Sequence, residues 1–357
     1  MTDWFSATHF QRLEPLLDAA LDCAPEERDA FVRRTTETDP ALRCELHALL
    51  RYAARMAELP LLDQSASRVF SSLLRENADA AVRVLEAALA DRYAIIRPLG
   101  AGGMATVYLA NDLRVDRQVA IKVLRADLSQ TVGAARFARE VQLVATFEHP
   151  NIVGALDSGE AAGHFWLAMP FIDGESLRQR MARDGALPLD ESLSIVHQVA
   201  DALGYAHGRG VMHRDIKPDN ILLADGHAFV VDFGIARAIQ SNAQALTNTG
   251  MSVGTPAYMA PEQAAGSKDL DGRVDVYALG SVLYEMLAGT PAFTGPNRMA
   301  IMVRAQHTDP RPIHRVRAAV TPALDAVILK AMSRTPTERY ATMSAFRDAI
   351  ANSSAAT

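Results

Sequence analysis

His213-Arg214-Asp215-Ile216-Lys217-Pro218-Asp219-Asn220 sets two carboxylates, a carboxamide and a lysine within eight residues. The lysine is informative because the chain uses it so rarely: of 36 basic residues, four are lysine, namely Lys122, Lys217, Lys268 and Lys330, and the rest are arginine. A compact ammonium on a flexible stem reaches a phosphate as a point charge where a planar guanidinium does not fit. Downstream of this run stand Asp232-Phe233-Gly234 and Ala260-Pro261-Glu262. Upstream, a second lysine closes the apolar stretch Val119-Ala120-Ile121-Lys122.

Working outward toward the N-terminus, short β-prone runs at Tyr93–Leu99, Thr106–Asn111 and Gln118–Leu124 are separated by glycines or charged turns, which predicts an antiparallel sheet. The turn Gly100-Ala101-Gly102-Gly103-Met104-Ala105-Thr106-Val107 lies between two of them. Glycines there let backbone amides approach phosphate oxygens. The turn precedes no helix and lacks a Gly-Lys-Ser/Thr ending, so neither a dinucleotide fingerprint nor a P-loop fits. A helix is expected over Ala134–Thr146, with Phe137, Val141 and Val144 on its apolar face and Glu140 beside them as an anionic partner for Lys122. After Pro188 the pattern is mostly helical. Strands first and helices later predict an α+β segregation into a small antiparallel β lobe and a larger helical lobe.

Residues 1–90 carry helix signals and no catalytic constellation. Phe10, Leu13, Leu16, Leu17, Ala20 and Leu21 recur at helical spacing, Pro25-Glu26-Glu27 opens a second helix, and Asp39-Pro40 starts a third that runs to about Met56. Further amphipathic runs cover Val69–Leu74 and Val82–Leu89. A small all-α N-terminal domain over 1–90 follows, then a second domain over 93–351 and a flexible tail over 352–357. The net charge of −6 is carried by 15 acids against 10 arginines in residues 1–90 and 27 acids against 26 bases beyond them, which offers no basic surface for nucleic acid. Two cysteines, Cys23 and Cys44, are too few for a disulfide framework or a four-ligand zinc site. No run is apolar enough for a membrane span and no signal peptide opens the chain, so a cytoplasmic protein is expected.

The order and spacing of these motifs from Tyr93 to Ala351 resemble the protein kinase family, and within it the eukaryotic-like serine/threonine kinases of bacteria. The resemblance implies a two-lobed protein kinase fold, with ATP and a divalent metal, magnesium with manganese as the alternative. It implies that Asp215 accepts or orients the substrate hydroxyl proton, that Lys217 offsets charge on the transferred γ-phosphoryl group, and that Asn220 and Asp232 hold the metal through oxygen. Lys122, held by Glu140, would reach the α- and β-phosphates. Leu99, Gly100, Gly102 and Gly103 would cover the nucleotide, and Val107, Ala120 and Leu222 would sandwich adenine.

The stretch Met169-Pro170-Phe171-Ile172 resembles the hinge between lobes, with Pro170 in place of the usual acid. The family uses the carbonyl at that position and the N–H two residues on, which Ile172 keeps. Ala105 stands where a third glycine is common, and a slightly stiffer loop is expected. Glu262 with Arg339 resembles the family's buried ion pair, and Asp275 the helix residue that holds the catalytic loop. Serine/threonine preference is implied by Lys217 and by Gly254-Thr255-Pro256, with Thr255 bonding Asp215 and Lys217 at the acceptor site.

Arg214 before Asp215 resembles kinases controlled through the activation segment, here Ile235 to Tyr258. Autophosphorylation is expected at Thr247 and Thr249, with Arg214 and Arg237 to receive the phosphate. The partners expected are protein substrates with Ser or Thr acceptors. For residues 1–90 two readings stay open, an autoinhibitory or dimerising module, which would make a homodimer, and a docking module. The rival reading of the whole is a pseudokinase that binds nucleotide as a scaffold, and the presence of Lys122, Glu140, Asp215, Asn220 and Asp232 argues against it.

Overall fold

The computed structural model describes residues 16, 19, 20, 23, 28–36, 39, 43, 46, 47, 50, 86–101, 105–124, 134–161, 163–233, 255–267 and 269–354, without the side chains of 134–136 and 140. The chain divides into two compact units, Met1–Arg75 and Glu76–Thr357.

In the first unit, α1 (Arg28–Thr35) sends Val32 into an apolar cluster with Ala20, Leu46 and Leu50, against which Leu16 and Phe31 pack. It falls within the second helix read from the sequence. The run Val69–Leu74 and most of the third helix lie outside the described residues. Residues 86–89 are helical, and Leu89 is buried with Tyr93 and Trp166. The boundary expected at residue 90 therefore falls inside the second unit, because Leu89 completes one side of its sheet.

That unit opens with β1 (Tyr93–Ala101), β2 (Ala105–Asp112), β3 (Arg117–Leu124), α2 (Ala134–Ala145), β4 (Asp157–Ala161) and β5 (His164–Pro170). The strands form one sheet in the order β1-β2-β3-β5-β4, each neighbour antiparallel. Alternation along β3 decides what each face touches. Val119 and Ile121 pack with Tyr93, Ala110, Trp166 and Ala168 on one side. Ala120 and Leu124 pack with Phe137 and Val141 of α2 on the other. Lys122 shares the parity of Ala120 and Leu124, so it lies on the face that α2 covers.

The larger lobe follows as β6 (Glu175–Ser176), α3 (Leu177–Asp184), α4 (Leu189–His207), β7 (Ile221–Ala224), β8 (His227–Val230), α5 (Pro261–Ala264), α6 (Arg273–Ala288), α7 (Arg298–His307), α8 (Pro322–Ala331) and α9 (Met343–Ser354). Helix α3 begins at a capping box in which Ser176 and Gln179 satisfy each other's backbone amides. Helix α6 is buried without a break from Val274 to Leu287, the signature of a helix surrounded by protein. It stops at Gly289, whose φ of 76° belongs to the left-handed region that closes helices. One correction concerns the tail expected from residue 352: α9 runs through Ser354, and the Ser353 hydroxyl donates to the Ile350 carbonyl at 2.8 Å. The loops that matter below hang on α6 and on the β7–β8 hairpin.

Candidate active site

The run His213–Asn220 is fastened from below by one carboxylate. Asp275, in the first turn of α6, has no exposed surface. Its Oδ2 accepts from the His213 amide at 2.8 Å and from His207 Nε2 at 2.7 Å, and its Oδ1 from the Arg214 amide at 2.7 Å. Burial opposes ionisation here, but the His207 hydrogen bond and charge, with the His213 amide, hold this carboxyl below the usual Asp range. Arg214 takes a left-handed φ of 66°, a conformation rare for a non-glycine residue that those bonds sustain. Gln263 of α5 adds a bond to the Arg214 carbonyl at 2.6 Å.

The His213 ring carries this rigidity to the next segment. Its Nε2 donates to the Val231 carbonyl at 2.8 Å while its Nδ1 accepts from the Asp215 amide at 3.3 Å, which fixes the proton on Nε2. The Val231 amide in turn donates to the Asn220 carbonyl at 3.0 Å. Phe233 is buried against His213 and Phe147, with ring centroids 4.7 and 5.6 Å apart in edge-on contact. Asp215 and Asp232, 17 positions apart in the chain, thus sit on two segments bonded to each other.

Asp215 faces a cation and an amide: its Oδ2 lies 2.8 Å from Lys217 Nζ and 3.2 Å from Asn220 Nδ2. Asn220 Nδ2 also donates to the Asp215 carbonyl at 2.8 Å. With its amino group so used, the Asn220 Oδ1 accepts no hydrogen bond among the described residues. Asp232, itself at a left-handed φ of 70°, is 2.7 Å from Lys122 Nζ through Oδ2. Burial raises the Asp232 carboxyl, and the charge and hydrogen bond of Lys122, with the charge of Lys217, outweigh it, leaving it below the ordinary Asp range and charged. One amide oxygen and one carboxylate suit a hard divalent ion that takes its remaining ligands from water and phosphate. Among the described residues no group of three or more His, Cys, Asp or Glu could hold a metal by protein ligands alone.

Around this centre the nucleotide residues expected from sequence fall where the sheet meets the larger lobe. Val107 is paired with Lys122, and Ala120 with Met169 beside Pro170. Val107, Ala120 and Ile172 pack into one cluster with Val153 and Leu167. Leu222 is half-buried on β7 opposite Ser176 and Phe229. Leu99 and Gly100 lie exposed on β1, and Gly102 and Gly103 lie outside the described residues. Gly174, just past the hinge, abuts β7 so closely that a Cβ there would stand 2.1 Å from the Leu223 carbonyl oxygen.

One expected contact falls outside the described side chains, and another comes out otherwise. Glu140 belongs to α2, but its side chain is not among those described, and Asp232 is the partner the structure gives Lys122. Thr255 leads into the turn Pro256–Tyr258, and among the described residues its hydroxyl reaches neither Asp215 nor Lys217. Those two satisfy each other, an ion pair displacing the weaker hydroxyl bond. Thr247 and Thr249 lie outside the described residues. Glu262 and Arg339 do meet, in a bidentate pair at 2.6 and 2.7 Å with no exposed Arg339 side chain. The sequence reading gave no part to His207, whose last-turn position on α4 carries no motif, nor to His213 as the link between segments.

Residues 93–349 match the protein kinase domain family. The chain is 43% identical over 265 residues to the serine/threonine-protein kinase PknB of Mycolicibacterium smegmatis, a match covering 72% of this chain and 42% of that protein. It is 42% identical over the same length to PknB of Mycobacterium leprae. The aligned part thus spans about two fifths of these curated relatives. The crystal structure of Rad53 1-466 in complex with AMP-PNP superposes with a TM-score of 0.61 at 24% identity, over 72% of this chain and 65% of that one, and shares the fold. By the family match over residues 93–349 the chain belongs to the protein kinase family.

Proposed function

We propose that this chain is a serine/threonine protein kinase that transfers the γ-phosphoryl group of ATP to protein hydroxyls, with residues 93–351 as its catalytic domain. The observation that carries the reading is the convergence of Asp215, Lys217 and Asn220 with the Lys122–Asp232 pair across two bonded segments. Phosphoryl transfer asks for positioning and charge neutralisation more than for covalent chemistry.

In this reading Asp215 orients the acceptor hydroxyl and takes its proton, and Lys217 and Lys122 supply positive charge to the phosphates. Lys122 would exchange part of its contact with Asp232 for phosphate oxygens and for Glu140. Asn220 and Asp232 would hold magnesium, which when bound neutralises phosphate charge. The carbonyl of Pro170 and the amide of Ile172 would meet adenine between Val107, Ala120 and Leu222, under Leu99, Gly100, Gly102 and Gly103. Thr255 would line the acceptor site, and Thr247 and Thr249 would be autophosphorylated. The first unit, Met1–Arg75, would act as a helical regulatory or docking domain, and the protein would work in the cytoplasm. Among the described residues no helix is long and apolar enough to cross a membrane.

Radiolabelled ATP with a generic protein acceptor tests the reading. Incorporation should fall more than about a hundredfold in Asp215→Asn, and mass spectrometry of the active protein should find phosphate on Thr247 or Thr249. Equal incorporation by both proteins would overturn the assignment.

A further inference from the structure

Beside the centre just described lies a second cluster of charges that no role above uses. Glu285, near the end of α6, is 3% exposed, a carboxylate almost wholly removed from water. Arg178 of α3 donates through Nη1 to Glu285 Oε1 at 2.9 Å and through Nη2 to the Tyr258 hydroxyl, and that hydroxyl donates to Glu285 Oε2. The third nitrogen of the same guanidinium, Nε, stands 3.5 Å from Asp219 Oδ2. The Arg178 carbon also lies 5.7 Å from the centre of the Tyr258 ring.

The elements joined in this way are the point. Asp219 belongs to the turn Pro218–Asn220, immediately before Asn220 in the loop that carries Asp215. Tyr258 ends the turn that Thr255 begins, on the side where the acceptor would lie. Glu285 belongs to the buried helix that also fastens the Asp215 loop through Asp275. One planar fork therefore spans the catalytic loop, the acceptor-side segment and the helix beneath both. An ammonium has no fixed fork with which to meet three partners in three directions. Burial first, and the Glu285 carboxylate second, push the Tyr258 hydroxyl well above its ordinary range, so it stays a donor to Glu285.

The geometry points to Arg178 as a positioning residue for the protein acceptor, holding Tyr258 and Asp219 on Glu285 so that the Thr255–Tyr258 wall and the Asp215 loop keep a fixed separation. This rests on the kinase reading above. Misplacement of a reacting group by about an ångström costs on the order of a hundredfold in rate, and the cluster's hydrogen bonds and ion pairs among the described residues reach the acceptor side and include no residue assigned to adenine. Its loss should therefore register on the acceptor and spare the nucleotide.

The test uses the full chain, ATP and dephosphorylated casein as the acceptor, comparing wild type with Arg178→Lys and Tyr258→Phe. In Arg178→Lys, kcat/KM for casein should fall about tenfold while KM for ATP stays within about twofold. Tyr258→Phe keeps the ring and removes the hydroxyl's two hydrogen bonds, one from Arg178 and one to Glu285, while the Arg178–Glu285 bond stays, so it should show the same split at about threefold; it also carries the test should the lysine variant fold poorly. Unchanged casein kinetics in both variants would overturn the proposal, as would a parallel loss of ATP and casein affinity with the melting temperature, the mark of a merely structural pair. A wild-type chain that binds ATP yet phosphorylates no acceptor would overturn the kinase reading and this proposal together, whereas an active wild type with an unaltered Arg178→Lys would overturn this proposal alone.

Discussion

The two lobes of the catalytic unit handle charge in opposite ways. In the larger lobe, Asp275, Glu285 and Arg339 are each buried and each meets its partners inside the same core: His207 and two backbone amides, Arg178 and Tyr258, and Glu262. In the sheet lobe the buried carboxylate Asp112 sits at the sheet's far end, 3.8 Å from Arg92. Lys122, on the inner face, finds its described partner outside its own lobe, in Asp232. Charges in the larger lobe hold a loop in place, while the charge in the sheet lobe is left to meet something else. Buried pairs of the first kind are costly to break, because the survivor stays desolvated. A half-open pair of the second kind can exchange partners with little effect on folding.

The hardest test of this contrast is Lys122→Met. Methionine keeps the length and apolar stem and removes the charge. Phosphotransfer should drop about 10²- to 10³-fold, since a charge aimed at the phosphates acts where water is scarce. The loss of stability should stay below about 3 kcal/mol, the cost of breaking a fully buried pair, because the Asp232 side chain is 25% exposed and water can partly take over from the lysine. A radiolabelled-ATP assay beside chemical denaturation checks both halves. A large loss of stability would erase the distinction between the lobes.

Asp275→Asn probes the opposite side. The asparagine can present one acceptor to the three donors around Asp275, and its amino group must face one of them. A loss of about 3 kcal/mol in unfolding free energy is expected, from hydrogen bonds to a charged group. The pH dependence follows from the depressed native carboxyl. Its stabilisation is complete above the unfolded value near pH 4, and is lost as pH falls through the lower native value. The gap between wild type and variant should therefore be constant above about pH 4 and close below it. Denaturation curves across that range measure it, and a gap that widens in acid would contradict the assignment.

How much of this was legible in the sequence depends on how far apart the participants lie. The Asp215, Lys217 and Asn220 contacts arise within a few residues, so the chemistry of His213–Asn220 could be read from the run itself. The strands β1, β2 and β3 were legible through alternation, although β1 extends to Ala101 because Gly100 and Ala101 go on pairing with Val107 and Thr106. Strand β4 was not: Asp157-Ser158-Gly159-Glu160-Ala161 has no β-prone pattern and is a strand only by pairing with β5. Its Gly159 lies against Trp166, where a Cβ would come within 2.9 Å of the indole. His207 with Asp275 and Arg178 with Glu285 join positions 68 and 107 residues apart. Such pairings depend on how helices cross, which no local spacing encodes. For Glu262 with Arg339, and for Asp275 as the residue under the loop, the family resemblance supplied what spacing could not. The same resemblance put Glu140 on Lys122, a contact that lies outside the described side chains, and it did not foresee the contact of Lys122 with Asp232.

The smallest expected effect sharpens the comparison most finely. Ala105 was read as the stiffer substitute for a glycine in a phosphate-covering turn, yet it opens β2, is buried and pairs with Leu124 of β3. At that place it behaves as a strand residue. Ala105→Gly should therefore cost about 0.5 to 1 kcal/mol of stability, the entropic penalty of glycine in a regular element, and leave ATP affinity within about twofold. If the residue instead controlled how the turn closes on phosphate, glycine would tighten ATP binding by more than that while stability stayed level. Isothermal titration with ATP and magnesium, set beside thermal unfolding of the same samples, separates the two. The first outcome keeps the sheet lobe's ligand-facing duty on Lys122, and the second would move part of it to the backbone at the start of β2.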